Sequence, residues 1–258
     1  IVYNRTPEAG SHGDLVLCSC IQKKCACGGV APYQAFDDAG NHAWCACRSA
    51  RTKLLRVKKA FADSQIPKRY LWKFIEDFKK VNPVADKICG LVSSIRDELL
   101  AKGFYFWGPA GSGKTLLACV TLQELMLKYG LEGKFVDISR QFFQRLKNTY
   151  DTTGDNEENA GDVLDELIRV PFLVIDDFGV QRNTEWESEM LYNLIDSRYE
   201  REHITIITSN VHIKDFSSVA YGRIHSRIKE MCSIIHVDLP DYREHSMKEF
   251  NFAEEPSR

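Results

Sequence analysis

The run Gly108-Pro-Ala-Gly-Ser-Gly-Lys-Thr115 restricts what this chain can fold into more than any other stretch. It satisfies G-x-x-x-x-G-K-[ST], a loop whose backbone wraps phosphate oxygens and turns its N–H groups inward. Glycines permit backbone conformations that a Cβ obstructs. On this reading Gly108, Pro109, Ala110, Gly111, Ser112 and Gly113 form the cradle. Lys114 reaches the β- and γ-phosphates, and the Thr115 hydroxyl ligates Mg²⁺. Such a loop needs a strand before it and a helix N-terminus after it. Both are legible: residues 103–107 are a short aromatic run suited to a buried strand. Residues 116–128 carry apolar Leu117, Val120, Leu125 and Met126 at helical spacing, and Gly130 is placed to stop the helix. The expected ligand is ATP or ADP with Mg²⁺.

Downstream, strand and helix patterns alternate as in an α/β protein with a doubly wound parallel sheet. A strand is expected over 134–138 and a helix over 139–150. Phe142, Phe143 and Leu146 lie on that helix's core side, with Arg140, Arg145 and Lys147 elsewhere. Residues 151–162 are polar, acidic and glycine-containing and read as a mobile loop, and 163–168 as a short helix. The apolar run from Val170 to Ile175 then ends in Asp176 and Asp177, the Walker B pattern. A buried strand delivers both acids to its carboxyl end beside the phosphate loop. There Asp176 is expected to hold Mg²⁺ and Asp177 to orient or deprotonate the attacking water. Thr184-Glu-Trp-Glu187 reads as a capping box, opening a helix that buries Trp186, Met190, Leu191, Leu194 and Ile195. Residues 204–207 form a further strand ending in Thr208-Ser209-Asn210, which serve either the γ-phosphate or a helix N-cap.

Six of the nine cysteines fall between positions 18 and 47, as Cys18-x-Cys20, Cys25-x-Cys27 and Cys45-x-Cys47. The phosphate loop implies a reducing, cytoplasmic setting, where clustered cysteines hold metal more often than they form disulfides. A segment of about sixty residues also needs a staple to fold. Zn²⁺ is the favoured metal over an iron–sulfur cluster, with Cys25, Cys27, Cys45 and Cys47 as first-choice ligands. Cys18 and Cys20 are candidates for a second site. Cys89, Cys119 and Cys232 sit in apolar contexts and read as core. Arg48 to Lys59 is basic, without an acid, at helical spacing, and reads as a link between modules or a phosphate contact. A helix is expected over 84–102. The boundaries expected are a cysteine-rich module over 1–60 and a nucleotide-binding domain over 61–258. A net charge of −2 confines any nucleic-acid surface to a local patch. No run has the length of a membrane span, and the first residues lack a signal-peptide pattern. The chain begins with Ile rather than Met, which leaves room for residues upstream.

The stretches "GPAGSGKT", "FLVIDDFGVQ", "TIITSN" and "YGRIHSRIKEMC", with "DYR" near the end, resemble the AAA+ ATPases of the DnaC/DnaI helicase-loader and IstB group. The resemblance covers residues 61–245. It implies an AAA+ core, Asn210 as the sensor 1 residue, and Arg227 as an arginine finger reaching ATP in a neighbouring subunit of a homo-oligomer. Arg223 is a second candidate for that role. It implies a channel for single-stranded DNA along 139–150, gripped by Arg145 and Lys147, and an amino-terminal module that binds the hexameric replicative DNA helicase. The implied activity is ATP-dependent helicase loading in replication initiation. The alternatives are an IstB-like regulator of transposition and an adaptor that binds ATP without hydrolysing it. Two departures stand out. Asp177 occupies a position where the family usually has Glu, which slows hydrolysis and suits a switch. About twenty residues follow the last strand, expected over 233–238, so the helical lid is expected to be reduced or absent.

Overall fold

The computed structural model describes residues 2–4, 14–36, 40–81, 86, 89, 90, 92, 102–151, 160–179, 184–215 and 219–239. The proposed loop over 151–162 falls mostly outside these residues. So do most of the helix over 84–102, the DYR motif and the segment in which a lid would lie.

Two short hairpins belong to the first sixty residues: β1 (Val2–Asn4) with β2 (Asp14–Val16), and β3 (Gln34–Phe36) with β4 (His42–Trp44). Helix α1 (Ser19–Lys23) lies between them and α2 (Arg48–Asp63) follows. Helix α3 (Ile75–Val81) precedes the sheet. The sheet has five parallel strands: β5 (Gly103–Trp107), β6 (Gly133–Asp137), β7 (Phe172–Asp176), β8 (Ile204–Ser209) and β9 (Cys232–His236). Their spatial order is β6-β7-β8-β5-β9. Between strands run α4 (Lys114–Tyr129), α5 (Phe143–Asp151), α6 (Ala160–Arg169), α7 (Glu185–Glu200) and α8 (Val219–Met231).

Both faces of the sheet are buried, as parallel strands require. Phe104, Phe106, Phe135, Phe172, Val174, Ile206 and Ile235 point to the face covered by α4 and by Val57 and Phe61 of α2. Tyr105, Val136, Leu173, Ile175 and Ile207 point to the other face, covered by α5 to α8. This period-2 partition yields three layers around two cores. Cys89, Cys119 and Cys232 are buried within them, as expected.

Helix α2 runs through the expected boundary at residue 60, because Val57, Ala60 and Phe61 are buried against the main core. Lys53 Nζ also donates to the carbonyl of Lys128 at the end of α4, 3.0 Å away. Gly130 closes α4 in the left-handed conformation, φ 68°, as its position suggested. The helix expected over 139–150 opens instead with a π-helical turn, Ile138–Phe142. The wider turn lets the consecutive Phe142 and Phe143 both bury, which a regular α-helix turns apart by about 100°. Thr184 caps α7 by accepting from the Glu187 N–H (3.2 Å), while Glu187 Oε2 is buried without a hydrogen-bond partner among the described residues. Leu191, Leu194 and Ile195 are buried as expected, Trp186 and Met190 only in part.

Arg198 is wholly buried, and among the described residues none of its hydrogen-bond acceptors is a carboxylate. Its guanidinium donates to the carbonyls of Leu167 (2.6 Å), Val170 (2.7 Å) and Ile204 (2.8 Å) and to Thr205 Oγ1 (2.9 Å). It thereby caps the carboxyl end of α6 and ties the turn before β7 to β8. Burial pulls it down to about 9, still charged at neutral pH. Arg198→Met is expected to cost roughly 3–5 kcal/mol in urea unfolding, because several buried carbonyls lose their donor. Arg198→Lys should recover only part of this, since one ammonium cannot span the fork. A loss below about 1 kcal/mol would contradict this role.

Candidate functional site: a nucleotide loop facing paired carboxylates, with a separate cysteine cluster

The loop from Gly108 to Gly113 leaves the carboxyl end of β5 and feeds α4. Gly113 is the N-cap of α4 with φ 89°, and a Cβ there would meet the Phe78 ring at 3.1 Å. At Gly108 a Cβ would lie 2.3 Å from the Val237 carbonyl oxygen. Both positions therefore demand glycine. The loop is tied to β8 by the Gly108 N–H, which donates to the Ser209 carbonyl at 3.3 Å. Lys114 is buried, and its Nζ donates to the carbonyls of Gly108 (2.9 Å) and Pro109 (2.6 Å). Pro109 and Ala110 are exposed, Gly111 half-buried with φ 79°. Ser112 is buried, and its hydroxyl has no hydrogen-bond partner among the described residues. Gly-restricted backbone, a helix N-terminus, a lysine and an orphaned hydroxyl fit the phosphates of a nucleotide.

Strand order explains what faces this loop. With β8 inserted between β5 and β7, the carboxyl ends of all three strands meet. Asp176, at the end of β7, is buried. The Thr208 hydroxyl donates to Asp176 Oδ1 at 2.6 Å and accepts the Asp177 N–H at 3.0 Å. One buried threonine thus holds the Asp176 carboxylate and the Asp177 backbone. The Thr115 hydroxyl also acts on the Asp176 carboxyl, so the last residue of the loop and the first acid lie near each other. Burial, then the charges of Asp177 and Asp137, push Asp176 up to about 6 against the Thr208 and Thr115 hydroxyls. Asp177 is half-buried in the left-handed region, φ 57°, which aspartate tolerates better than most residues. Thr115 and Asp176 are the residues that would hold Mg²⁺, which neutralises phosphate charge when bound. Asn210 follows the end of β8 and is exposed.

The remaining sequence-derived candidates lie apart from the loop. Arg227, on α8, donates from Nε to Asp196 Oδ1 of α7 (2.7 Å), and its guanidinium lies 4.4 Å from the Tyr199 ring centre. Arg145 pairs with Glu166 Oε2 at 2.9 Å, and Lys147 with Glu187 Oε1 at 3.2 Å. Burial raises Glu166, but Lys134 and Arg145 outweigh it and hold the carboxyl below its ordinary value.

The cysteine cluster forms a second centre. The Sγ atoms of Cys25, Cys27, Cys45 and Cys47 all lie within 4.8 Å of one another. Cys25 to Cys27 is 3.6 Å, and both are 3.5 Å from Cys47. A tetrahedral Zn²⁺ with bonds of about 2.3 Å sets S···S edges of about 3.8 Å, so these four thiols fit zinc. The Cys47 amide, chiefly, lowers the Cys45 thiol to about 6, while burial pushes the Cys47 thiol up to about 12, so the thiolate is favoured at one of the two. Cys18 and Cys20 adjoin each other, Sγ to Sγ 2.7 Å, outside this group of four.

Three contributors escaped the sequence reading. Thr208 reads from the sequence as one of three polar residues at a strand end, and its bridging role needs the β7–β8 register. Arg51 donates from Nε to Cys47 Sγ at 3.3 Å and reaches Cys25 Sγ at 3.9 Å. Its place four residues after Cys47 on one helix was a readable signal. Gln123, fully buried on α4, accepts from the Trp72 N–H (2.6 Å) and donates to the Tyr70 and Lys73 carbonyls (2.9 and 3.0 Å). It pins the segment before α3 to the helix of the phosphate loop.

Comparison with known proteins agrees with this geometry. The family described as "IstB-like ATP binding protein" matches residues 77–249. The replicative helicase loader DnaC of Escherichia coli (strain K12) is 29% identical over 128 residues, 49% of this chain and 49% of DnaC. The chain thus matches about half the length of that relative. A solved structure, "Crystal structure of the DnaC helicase loader", superposes with TM-score 0.55 at 28% identity, covering 66% of this chain and 99% of that one. "Crystal Structure of the DnaI" superposes with TM-score 0.54 at 20% identity, covering 67% and 95%, a likeness of fold alone. No helix among the described residues is long and apolar enough to cross a membrane. A parallel five-stranded sheet, a glycine loop converging on paired carboxylates and a match over two thirds of the chain lead to one conclusion: this chain belongs to the IstB-like ATP-binding family of AAA+ proteins and is homologous to the DnaC helicase loaders.

Proposed function

We propose that this chain is an ATP-dependent loader that delivers a hexameric replicative DNA helicase to single-stranded DNA, working as a homo-oligomer through its ATPase domain. The observation that carries the reading is the likeness to DnaC in a chain where Thr115, Asp176 and Thr208 converge. In this reading residues 61–258 form the ATPase and residues 1–60 the module that contacts the helicase. Asp177 orients the attacking water, Asn210 senses the γ-phosphate and Arg227 completes a neighbour's site. The IstB-like match favours a second reading, in which the partner is a transposase. Capture of purified helicase or transposase by the full chain, with ATP present, separates the two. Binding of transposase alone would overturn the loader.

Zn²⁺ on Cys25, Cys27, Cys45 and Cys47 belongs to the same proposal. The purified protein is expected to contain one zinc per chain. Chelation should unfold residues 18–47 and leave nucleotide binding in place, because metal binding supplies that module's folding energy. Metal analysis without zinc, together with freely titrating thiols, would contradict it.

DNA contact is assigned to Arg145 and Lys147. Arg145→Ala with Lys147→Ala is expected to weaken single-stranded DNA binding and flatten its salt dependence by about 0.7 per lost phosphate contact. Both side chains also sit in ion pairs, so a thermal melt must accompany the titration. An unchanged affinity at low and high salt would move the site away from α5.

A further inference from the structure

We propose that the outer face of the β3–β4 hairpin, continued by the exposed stripe of α2, is a second binding surface for single-stranded nucleic acid, with bases stacking on Trp44 and Phe36. The register pairs Gln34 with Trp44 and Phe36 with His42, so these four side chains share one face. That face is open: Phe36 is 69% and Trp44 56% exposed. Large rings this exposed on a small module mark a contact surface. Arg48 covers one face of Trp44, and the Phe36 and His42 rings are tilted at 39° to each other. The Arg48 guanidinium lies 3.4 Å from the Trp44 ring centre, and the Phe36 and His42 rings are 4.6 Å apart. Beyond Arg48, α2 exposes Arg56 and Lys59, which lie eight and eleven residues on along the same side of the helix. Lys23 and Lys24 of α1 are exposed as well.

Charge selects the occupant. Residues 18–59 contain eight Lys and Arg and two Asp, a formal +6 in a chain of net −2, so the remaining residues sum to −8. A four-thiolate zinc site would reduce that stretch to +4. A polyanion with π faces matches both the positive charge and the open rings, the combination used by sequence-tolerant single-strand binders. The inference takes from the loader reading only the single-stranded DNA partner, and it is independent of ATP turnover.

The test uses the full, zinc-loaded chain without nucleotide and a fluorescein-labelled thymidine homo-oligonucleotide. Trp44→Leu and Phe36→Leu keep an apolar surface but remove the ring, and each is expected to weaken binding about tenfold. Trp44→Tyr should restore most of the loss. Arg48→Gln, Arg56→Gln and Lys59→Gln should each flatten the salt dependence by about 0.7. Ultraviolet cross-linking of the oligonucleotide to the parent protein should map to the peptides carrying Phe36 or Trp44, an outcome independent of how the variants fold. Parent-like binding by both leucine variants, with cross-links only on α5, would overturn the proposal and leave the loader reading standing. Normal DNA binding with lost helicase capture would make the hairpin a protein dock and equally overturn it. A parent chain that binds no oligonucleotide would remove the DNA partner from both readings.

Discussion

Arg227→Ala is expected to bind ATP like the parent and to hydrolyse it about a thousandfold more slowly. Lys114→Ala should fail for a different reason, losing the charge that faces the β- and γ-phosphates. Mixing the two dead variants should restore part of the turnover. A mixed interface pairs the intact loop of the Arg227→Ala subunit with the intact finger of the Lys114→Ala subunit. Within the chain, Arg227 is held by two residues of α7. Asp196 takes its Nε and the Tyr199 ring supports its plane, so α7 carries the residue that α8 presents. An arginine serving only to pack α8 on α7 would change thermal stability and leave turnover alone. No rescue on mixing, together with turnover per chain that ignores protein concentration, would exclude a role in trans.

Asp176→Asn is expected to act with opposite signs on stability and on activity. The folded carboxyl titrates near 6, above its value of about 3.9 in an unfolded chain. The native state therefore takes up its proton first, and stability from this group rises as pH falls from about 6 to about 4. Above pH 6 the buried carboxylate is a cost of about 3 kcal/mol. Asparagine removes that cost while its oxygen still accepts from Thr208, so the melting temperature at pH 7 to 8 should rise in nucleotide-free protein. Mg²⁺-dependent hydrolysis should fall at least a hundredfold, because the metal loses its carboxylate. Mg²⁺·ATP binding to the parent should release a proton near pH 6. A destabilised Asp176→Asn protein, or one with parental turnover, would contradict the site.

How much of this was legible in the sequence follows from the range of each interaction. The loop from Gly108 to Thr115, the Asp176–Asp177 pair and the Gly130 stop are local patterns, and the structure places all three as read. The preference for Cys25, Cys27, Cys45 and Cys47 over Cys18 and Cys20 also agrees with the grouping of the thiols. The insertion of β8 between β5 and β7 is a pairing choice no single segment encodes, and the Thr208 bridge depends on it. Arg198 is satisfied by carbonyls of α6, β8 and the turn before β7, partners that its own helix does not encode. The π-helical turn before Phe143 was invisible because apolar periodicity averages over a single wide turn.

The loader account is tested most directly by helicase transfer to closed circular single-stranded DNA, where no free end allows threading. With this protein and ATP, the helicase should remain on the circles after gel filtration. The Lys114→Ala protein should leave the circles bare. Equal helicase retention with and without this protein, or none under any nucleotide condition while a transposase is captured instead, would contradict it.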